Sequence, residues 1–247
     1  MDPTAVSTAP DADVPIPVNA SGSYLFIKHA LDRIIAFLAI IALSPLLLFV
    51  AWRVRSDSPG PALFCQERAG RLGRPFPFYK FRSMRTDVNP YGDSPESGDD
   101  PRITKLGKWL RETSVDELPQ LFNVVRGEMS LVGPRPQFVG QIGDWNARQK
   151  SRLLVKPGLT GLSQIYGRAS MTIERKLEWD VEYVRSIGPM TDLRTLWKTI
   201  GVVLNKDGMY QKEYSETRRR FEQDANDGDA TNPPRDDDAS HDPQSSP

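Results

Sequence analysis

Hydrophobic positions fall into three patterns along the chain, and each predicts a different element. Residues 34–50, IIAFLAIIALSPLLLFV, are apolar without a single charge. With Ala51 and Trp52 the run approaches the roughly 20 residues that a bilayer-crossing helix needs. Residues 75–84, PFPFYKFRSM, alternate in the manner of a strand, and the Gly-Arg-Leu-Gly turn at 70–73 before them predicts a β-hairpin. Leu193, Leu196, Trp197, Ile200, Val203 and Leu204 recur at helical spacing. That last stripe is either a core face or an interfacial helix with Trp197 and Lys198 at a membrane boundary.

The long apolar run is interrupted at Ser44-Pro45. Proline has no N–H and its ring collides with the carbonyl four residues back, so a kink or break is expected there. Two limbs of about ten residues, roughly 15 Å each, would reach only halfway through a ~30 Å hydrocarbon layer. Lys28 and Arg33 precede the run, and Arg53 and Arg55 follow it. Positive charge at both ends predicts a re-entrant hairpin with both ends cytoplasmic, the alternative being a kinked helix that spans.

Charge divides the 247 residues more sharply than their balance of 32 basic and 32 acidic residues implies. The stretch 222–247 holds eight acids against one arginine, a net of −7, and residues 1–22 add −3, so the body carries the balancing +10. Both ends are rich in Pro, Ala, Ser and Asp and are expected to be disordered tails. The expected organisation is a tail (1–22), a membrane segment (23–55), a catalytic domain (56–221) and an acidic tail (222–247). A basic body points to anionic partners. Between Arg68 and Arg85 six basic residues occur without an acid, interleaved with Phe76, Phe78, Tyr79 and Phe81. Such a run also suits nucleic acid, but its place directly after the membrane segment favours lipid headgroups or nucleotide phosphate, and no nucleic-acid partner is expected. The single cysteine, Cys65, excludes an intramolecular disulfide, and two histidines cannot assemble a Cys/His metal cluster. Any metal would be a hard one held by carboxylates.

The candidate chemistry centres on SVDELPQLFNVVRGEMSLVGPRP, residues 114–136, with adjacent carboxylates at Asp116 and Glu117. Ser114 and Glu117 have the spacing of a helix capping box, which alone would explain the acids. The wider series argues for more: the Ser44-Pro45 helix, SPGPALFCQERAGRLGRPFPFYKFRSM, LRETSVDELPQLFNVVRGEMSLVGPRP, VKPGLTGLSQIYGR and KLEWDVEYVRSIGPMTDLRTLWKT. In this order, over about residues 24–210, the chain resembles the bacterial sugar transferases, in particular the small monotopic polyprenyl-phosphate phosphoglycosyl transferases in a minimal catalytic form.

The resemblance implies transfer of a sugar 1-phosphate from a UDP-sugar to undecaprenyl phosphate, with release of UMP, on the cytoplasmic face of the bacterial inner membrane. It maps the nucleophile to Asp116 and a magnesium-binding acid to Glu117. Lys80, Arg111, Arg135 and Asp192 would line the site, and Arg168 is a further phosphate candidate. Arginine suits the phosphate positions because its planar fork binds oxyanions in a bidentate way. Asp192 alone reads equally as a helix cap. Leu162 stands where the family commonly has an aromatic residue, which alters one pocket wall. The fold expected is α+β and mainly helical, with interfacial amphipathic helices and a small β-hairpin. Three other readings fit the sequence less well. A Rossmann-type glycosyltransferase would carry an acidic D-x-D motif inside the fold, whereas here that pattern occurs only in the tails. A membrane-surface binding module without catalysis gives no reason for the acids and arginines to occur together. The nucleotide-binding P-loop pattern is missing.

Overall fold

The computed structural model describes residues 14–88, 95, 98–166 and 172–204. Its first element is one helix, α1 (Gly22–Asp57), which starts at Ser21, whose side chain accepts the N–H of Tyr24. It runs through Pro45 without interruption. The two limbs expected on either side of Ser44 and Pro45 are thus joined in one helix, and this continuity has a local cause. Proline at 45 cannot donate to the carbonyl of Ile41. The Ser44 hydroxyl donates to that carbonyl instead, at 2.8 Å, and satisfies it within the same turn.

One face of α1 is packed along nearly its whole length. Lys28, Asp32, Ala36, Leu47, Val50 and Val54 are buried, and Ala39, Ile40 and Leu43 press on the core between them. These positions recur every three or four residues, which places them on one side of a 3.6-residue period. The other side, with Phe26, Ile34, Phe37, Leu48, Phe49 and Trp52, is exposed. Among the described residues α1 is the one helix long and apolar enough to cross a membrane, and most of its apolar stretch is not buried. The carboxyl end of α1 is capped from outside the helix. Arg82 donates to the carbonyls of Val54, Ser58 and Pro59 at 3.3, 2.7 and 2.5 Å, where the last carbonyls of a helix need donors.

The expected hairpin follows. Strands β1 (Leu63–Ala69) and β2 (Pro75–Phe81) pair antiparallel, with Arg68 opposite Phe76 and Phe64 opposite Lys80. Strand alternation therefore puts Gln66, Arg68, Phe76, Phe78 and Lys80 on the same face, the one that carries the buried phenylalanines. Helix α2 (Lys105–Glu112) begins at Thr104, whose hydroxyl accepts from Gly107 N–H at 2.9 Å. At Gly107 a Cβ would run into the backbone of Ser83, so only glycine lets α2 sit this close to the end of the hairpin. Helix α3 (Gln120–Arg126) lies against α1 and β2. Strand β3 (Ser130–Val132), the short helix α4 (Ala147–Lys150) and strand β4 (Gly158–Thr160) come next, β3 and β4 pairing in parallel. This pair was not foreseen, because three-residue strands carry no readable period.

Helices α5 (Leu162–Tyr166), α6 (Ile173–Ser186) and α7 (Pro189–Leu204) complete the described fold. The core joins Ala36 of α1 to Leu121, Val124, Met129, Val132, Leu162, Trp179, Tyr183 and Val184. Leu162 is thus a core residue. In α7 the apolar stripe faces outward: Leu193, Leu196, Trp197 and Ile200 are exposed, while Asp192 and Thr195 are buried. Thr199 bonds Thr160 of β4 at 2.7 Å. The stripe is therefore not a core face, since the inward face of α7 is the polar one. The mainly helical α+β class and the hairpin agree with expectation. The acidic tail and most of the first tail lie outside the described residues.

Candidate active site

Asp116 and Glu117 sit on a single 3-10 turn, Val115–Glu117, between α2 and α3. The capping box expected from Ser114 is not formed. Ser114 is left-handed, with φ 56°, and makes no side-chain cap bond. The Glu117 N–H is taken by the Ser114 carbonyl at 3.2 Å, so the hydroxyl has no amide left to accept from at that position. The Glu117 carboxylate, freed from the cap, turns to two cations. Lys80 Nζ donates to Oε1 at 3.1 Å, and Arg135 binds both oxygens, Nη1 to Oε2 at 3.1 Å and Nη2 to Oε1 at 2.5 Å.

Each partner is positioned by its own element. Lys80 projects from the inner face of β2, and α3 is fastened to that strand by Asn123. The Asn123 amide donates to Pro77 O and Glu128 Oε2, both at 2.6 Å, and its oxygen accepts Tyr79 N–H at 3.3 Å. Arg135 lies in the Gly-Pro-Arg-Pro segment after β3. There Gly133 approaches the backbone of Lys156 and Gly158 so closely that a Cβ would collide with both. Arg152 then donates to the Arg135 carbonyl and pairs with Asp180 in the interior, with Asp180 also accepting Ser163 Oγ at 2.9 Å. The segment that carries Arg135 is thus held from below by a buried, fully engaged ion pair, the condition under which such pairs are tolerated. Arg111, one turn beyond Gly107 on α2, donates to Ser83 Oγ at 2.9 Å.

The two acids differ electrostatically although they are adjacent. Burial pushes the Asp116 carboxyl up to about 6; Lys80 pulls against this and the Glu117 charge adds to it. Asp116 has no hydrogen-bond donor among the described residues to stabilise its charge. Burial would raise Glu117 as well, but Arg135 and Lys80 outweigh it and hold that carboxyl far below the usual carboxylate range. The arrangement is one acid without a partner beside another that keeps two cations in place. Among the described residues no group of three or more His, Cys, Asp or Glu side chains is set to hold a metal ion. Two adjacent carboxylates form a partial oxygen donor set, which an ion completes with water and ligand oxygens.

Of the residues named from sequence, the structure brings Lys80, Arg135, Asp116 and Glu117 together, with Arg111 close enough for its charge to act on Asp116. Among the described residues Asp192 makes no hydrogen bond or ion pair with the dyad. It accepts Tyr24 Oη and Tyr183 Oη, both at 2.7 Å, and pairs with Lys28 at 2.8 Å, while Lys28 also meets Asp32 at 3.3 Å. Its contacts are those of a buried brace between α1, α6 and α7 rather than of the dyad. Lys28 is consequently no flanking membrane charge but part of that brace. Arg168 lies outside the described residues. Sequence reasoning passed over Arg152, Asp180 and Asn123. Their only signal was polarity inside otherwise apolar segments.

Similarity to known proteins extends over most of the chain. The family model for bacterial sugar transferases matches residues 23–206. The chain is 42% identical over 194 residues to a protein named galactosyl transferase CpsE from Streptococcus agalactiae, covering 74% of this chain and 43% of that protein. It is 38% identical over 206 residues to undecaprenyl-phosphate galactose phosphotransferase of Salmonella typhimurium, with 77% and 43% covered. It is also 38% identical over 203 residues to UDP-glucose:undecaprenyl-phosphate glucose-1-phosphate transferase of Escherichia coli K12, with 79% and 43% covered. The match therefore spans less than half the length of these relatives. A family match over residues 23–206, containing the whole described site, means that the chain belongs to the bacterial sugar transferase family.

Proposed function

We propose that this chain transfers a sugar 1-phosphate from a UDP-sugar to undecaprenyl phosphate, releasing UMP. The observation that carries the reading is the contrast within the dyad: Asp116 is buried without a donor, beside a Glu117 held ionised by Lys80 and Arg135. An unpartnered carboxylate is a competent nucleophile, and a covalent intermediate splits one difficult transfer into two easier ones. An Asp116 oxygen attacks the sugar-bearing phosphorus, and the P–O bond to UMP breaks with its electron pair leaving on UMP. A phosphate oxygen of the polyprenyl acceptor then attacks the same phosphorus, and the Asp116 carboxylate departs. Neither step needs a proton from the protein. Lys80 and Arg135 supply positive charge where the diphosphate and the transition state are most anionic.

Magnesium fits the donor set of Asp116 and Glu117, because it takes one or two carboxylates and fills its shell with water and phosphate oxygens. When bound, it would neutralise charge on the diphosphate. Glu117 is the acid that would hold it, with Lys80 and Arg135 turning to the phosphates. The names of the Salmonella typhimurium and Escherichia coli relatives support the substrate classes.

The membrane reading follows from α1 and α7. Both ends of α1 touch the same domain, at Asp192 through Lys28 and at Leu110 beside Val54. Its outward face and the outward stripe of α7 are apolar. We place both in the cytoplasmic leaflet of the bacterial inner membrane, with Arg33, Arg53 and Arg55 toward its anionic headgroups. In this reading both ends of α1 share one side of the bilayer, as the re-entrant expectation also had it.

The test uses purified full-length protein in detergent with magnesium and a radiolabelled UDP-sugar. Without acceptor, label is expected on the protein together with UMP release, and Asp116→Asn should abolish both. Full turnover in Asp116→Asn, or label on another residue, rejects the nucleophile.

A further inference from the structure

Among the described residues Arg68 forms no ion pair; the carboxylate that acts on it through its charge, Glu117, is itself bound to Lys80 and Arg135. It lies near the end of β1, on the same hairpin face as Lys80. The next residue, Ala69, donates its N–H to the Gln137 carbonyl at 2.8 Å, which fastens β1 to the segment carrying Arg135. The Arg68 guanidinium lies 3.6 Å from the ring centroid of Phe138 and 5.8 Å from that of Phe78. One nitrogen donates to Gln66 Oε1 at 2.7 Å, whereas Nε is buried with no partner.

The other cations around the dyad are engaged. Lys80 and Arg135 hold Glu117, Arg111 holds Ser83, and Arg82 caps α1. Burial, with the Arg135 charge adding to it, brings Arg68 down to about 10, which still leaves it protonated at neutral pH. An unpaired charge in such a place destabilises the empty protein unless a ligand supplies the counter-charge. The ring contact keeps the guanidinium plane fixed, so little rotamer freedom remains to be lost on binding.

We propose that Arg68 is a further anion-binding residue of this site, its idle Nε–H and guanidinium charge receiving a phosphate oxygen of a substrate while Phe138 holds the plane in position. This rests on the functional reading above and extends it. The phosphate belongs either to the nucleotide donor or to the lipid acceptor, and both present the same oxyanion chemistry.

Two substitutions in the full chain, kept in detergent, separate charge from packing. Arg68→Met retains a long stem against Phe138 and removes the charge; Arg68→Lys retains charge without the planar fork. Each is titrated with UDP in the presence of magnesium and, separately, with a short-chain isoprenyl phosphate. Affinity for one of these probes is expected to fall at least about tenfold, ~1.4 kcal/mol, in Arg68→Met, and by less in Arg68→Lys, with a ligand-free melting temperature that is not lowered in either variant and is raised in Arg68→Met, where the uncompensated charge is gone. Loss confined to UDP assigns the donor phosphate, and loss confined to the isoprenyl phosphate assigns the acceptor. Unchanged affinity for both overturns the proposal. So does a loss that lysine does not partly restore and that accompanies a lowered melting temperature, since Arg68 would then only brace Phe138. Wild-type protein that binds neither probe overturns the functional reading together with this one.

Discussion

Asp116 is ionised against its surroundings, whereas Glu117 beside it is ionised because of them. The two therefore act on stability in opposite directions. Burial raises Asp116 to about 6 in the fold, against about 3.9 in an unfolded chain. The folded state thus prefers the protonated acid, and stability is lost as pH rises through this interval. Glu117 is depressed, so its contribution is present above the ordinary carboxylate range and fades as pH falls below it. Asp116→Asn removes the first effect only. In metal-free buffer the variant is expected to melt above the wild type at pH 7 to 8, with the difference closing as pH approaches 4. Differential scanning calorimetry across that range checks it, and a variant less stable than wild type at pH 8 would contradict the electrostatic account. The motif around the acids was legible as local sequence. The conformation of Ser114 was not, because a left-handed turn is imposed by what α2 and α3 pack against. Arg68 stood in plain view within a basic run, yet its meaning depends on Phe138, a residue distant in sequence.

At the scale of elements, α1 shows how one side chain can reverse a sequence-based expectation. Pro45 announces a break; Ser44, immediately before it, supplies the missing donor to Ile41. Which of the two prevails depends on the packed face from Lys28 to Val54, and that face is invisible without knowing its partners. The same holds for α7, where apolar periodicity was evident but its direction was not. Period gives the stripe, and only the buried threonines on the opposite side show that it points outward. Single cysteines introduced near residues 20 and 60, in a background lacking Cys65, are expected to be shielded alike from a membrane-impermeant reagent added outside spheroplasts. Labelling at one site alone would mean a crossing. Ser44→Ala should cost about 1 kcal/mol by leaving the Ile41 carbonyl unsatisfied, read as a lower melting temperature in detergent.

For the molecule as a whole, charge and apolarity are distributed unlike those of an ordinary soluble protein. Two helices turn apolar faces outward, while the interior holds the Arg152–Asp180 pair and the cluster of Lys28, Asp32, Asp192, Tyr24 and Tyr183. The class of fold and the hairpin could be read from periodicity. The interior polar network could not, since each member is unremarkable until the tertiary structure brings it to the others. Arg82 gives this arrangement a practical consequence. It stands two residues after Lys80, about 7 Å along an extended strand, and its guanidinium holds the last carbonyls of α1. Helix α1 and Lys80 are therefore ends of one short mechanical link, with the Ala36, Val50 and Val54 contacts in parallel. A fragment starting at residue 58, made to obtain a water-soluble enzyme for crystallisation or screening, should emerge as an aggregating, poorly folded chain with flattened near-UV circular dichroism and no UMP release. A water-soluble form calls instead for polar residues on the outer face of α1, because cutting the helix away removes a packed wall of the fold.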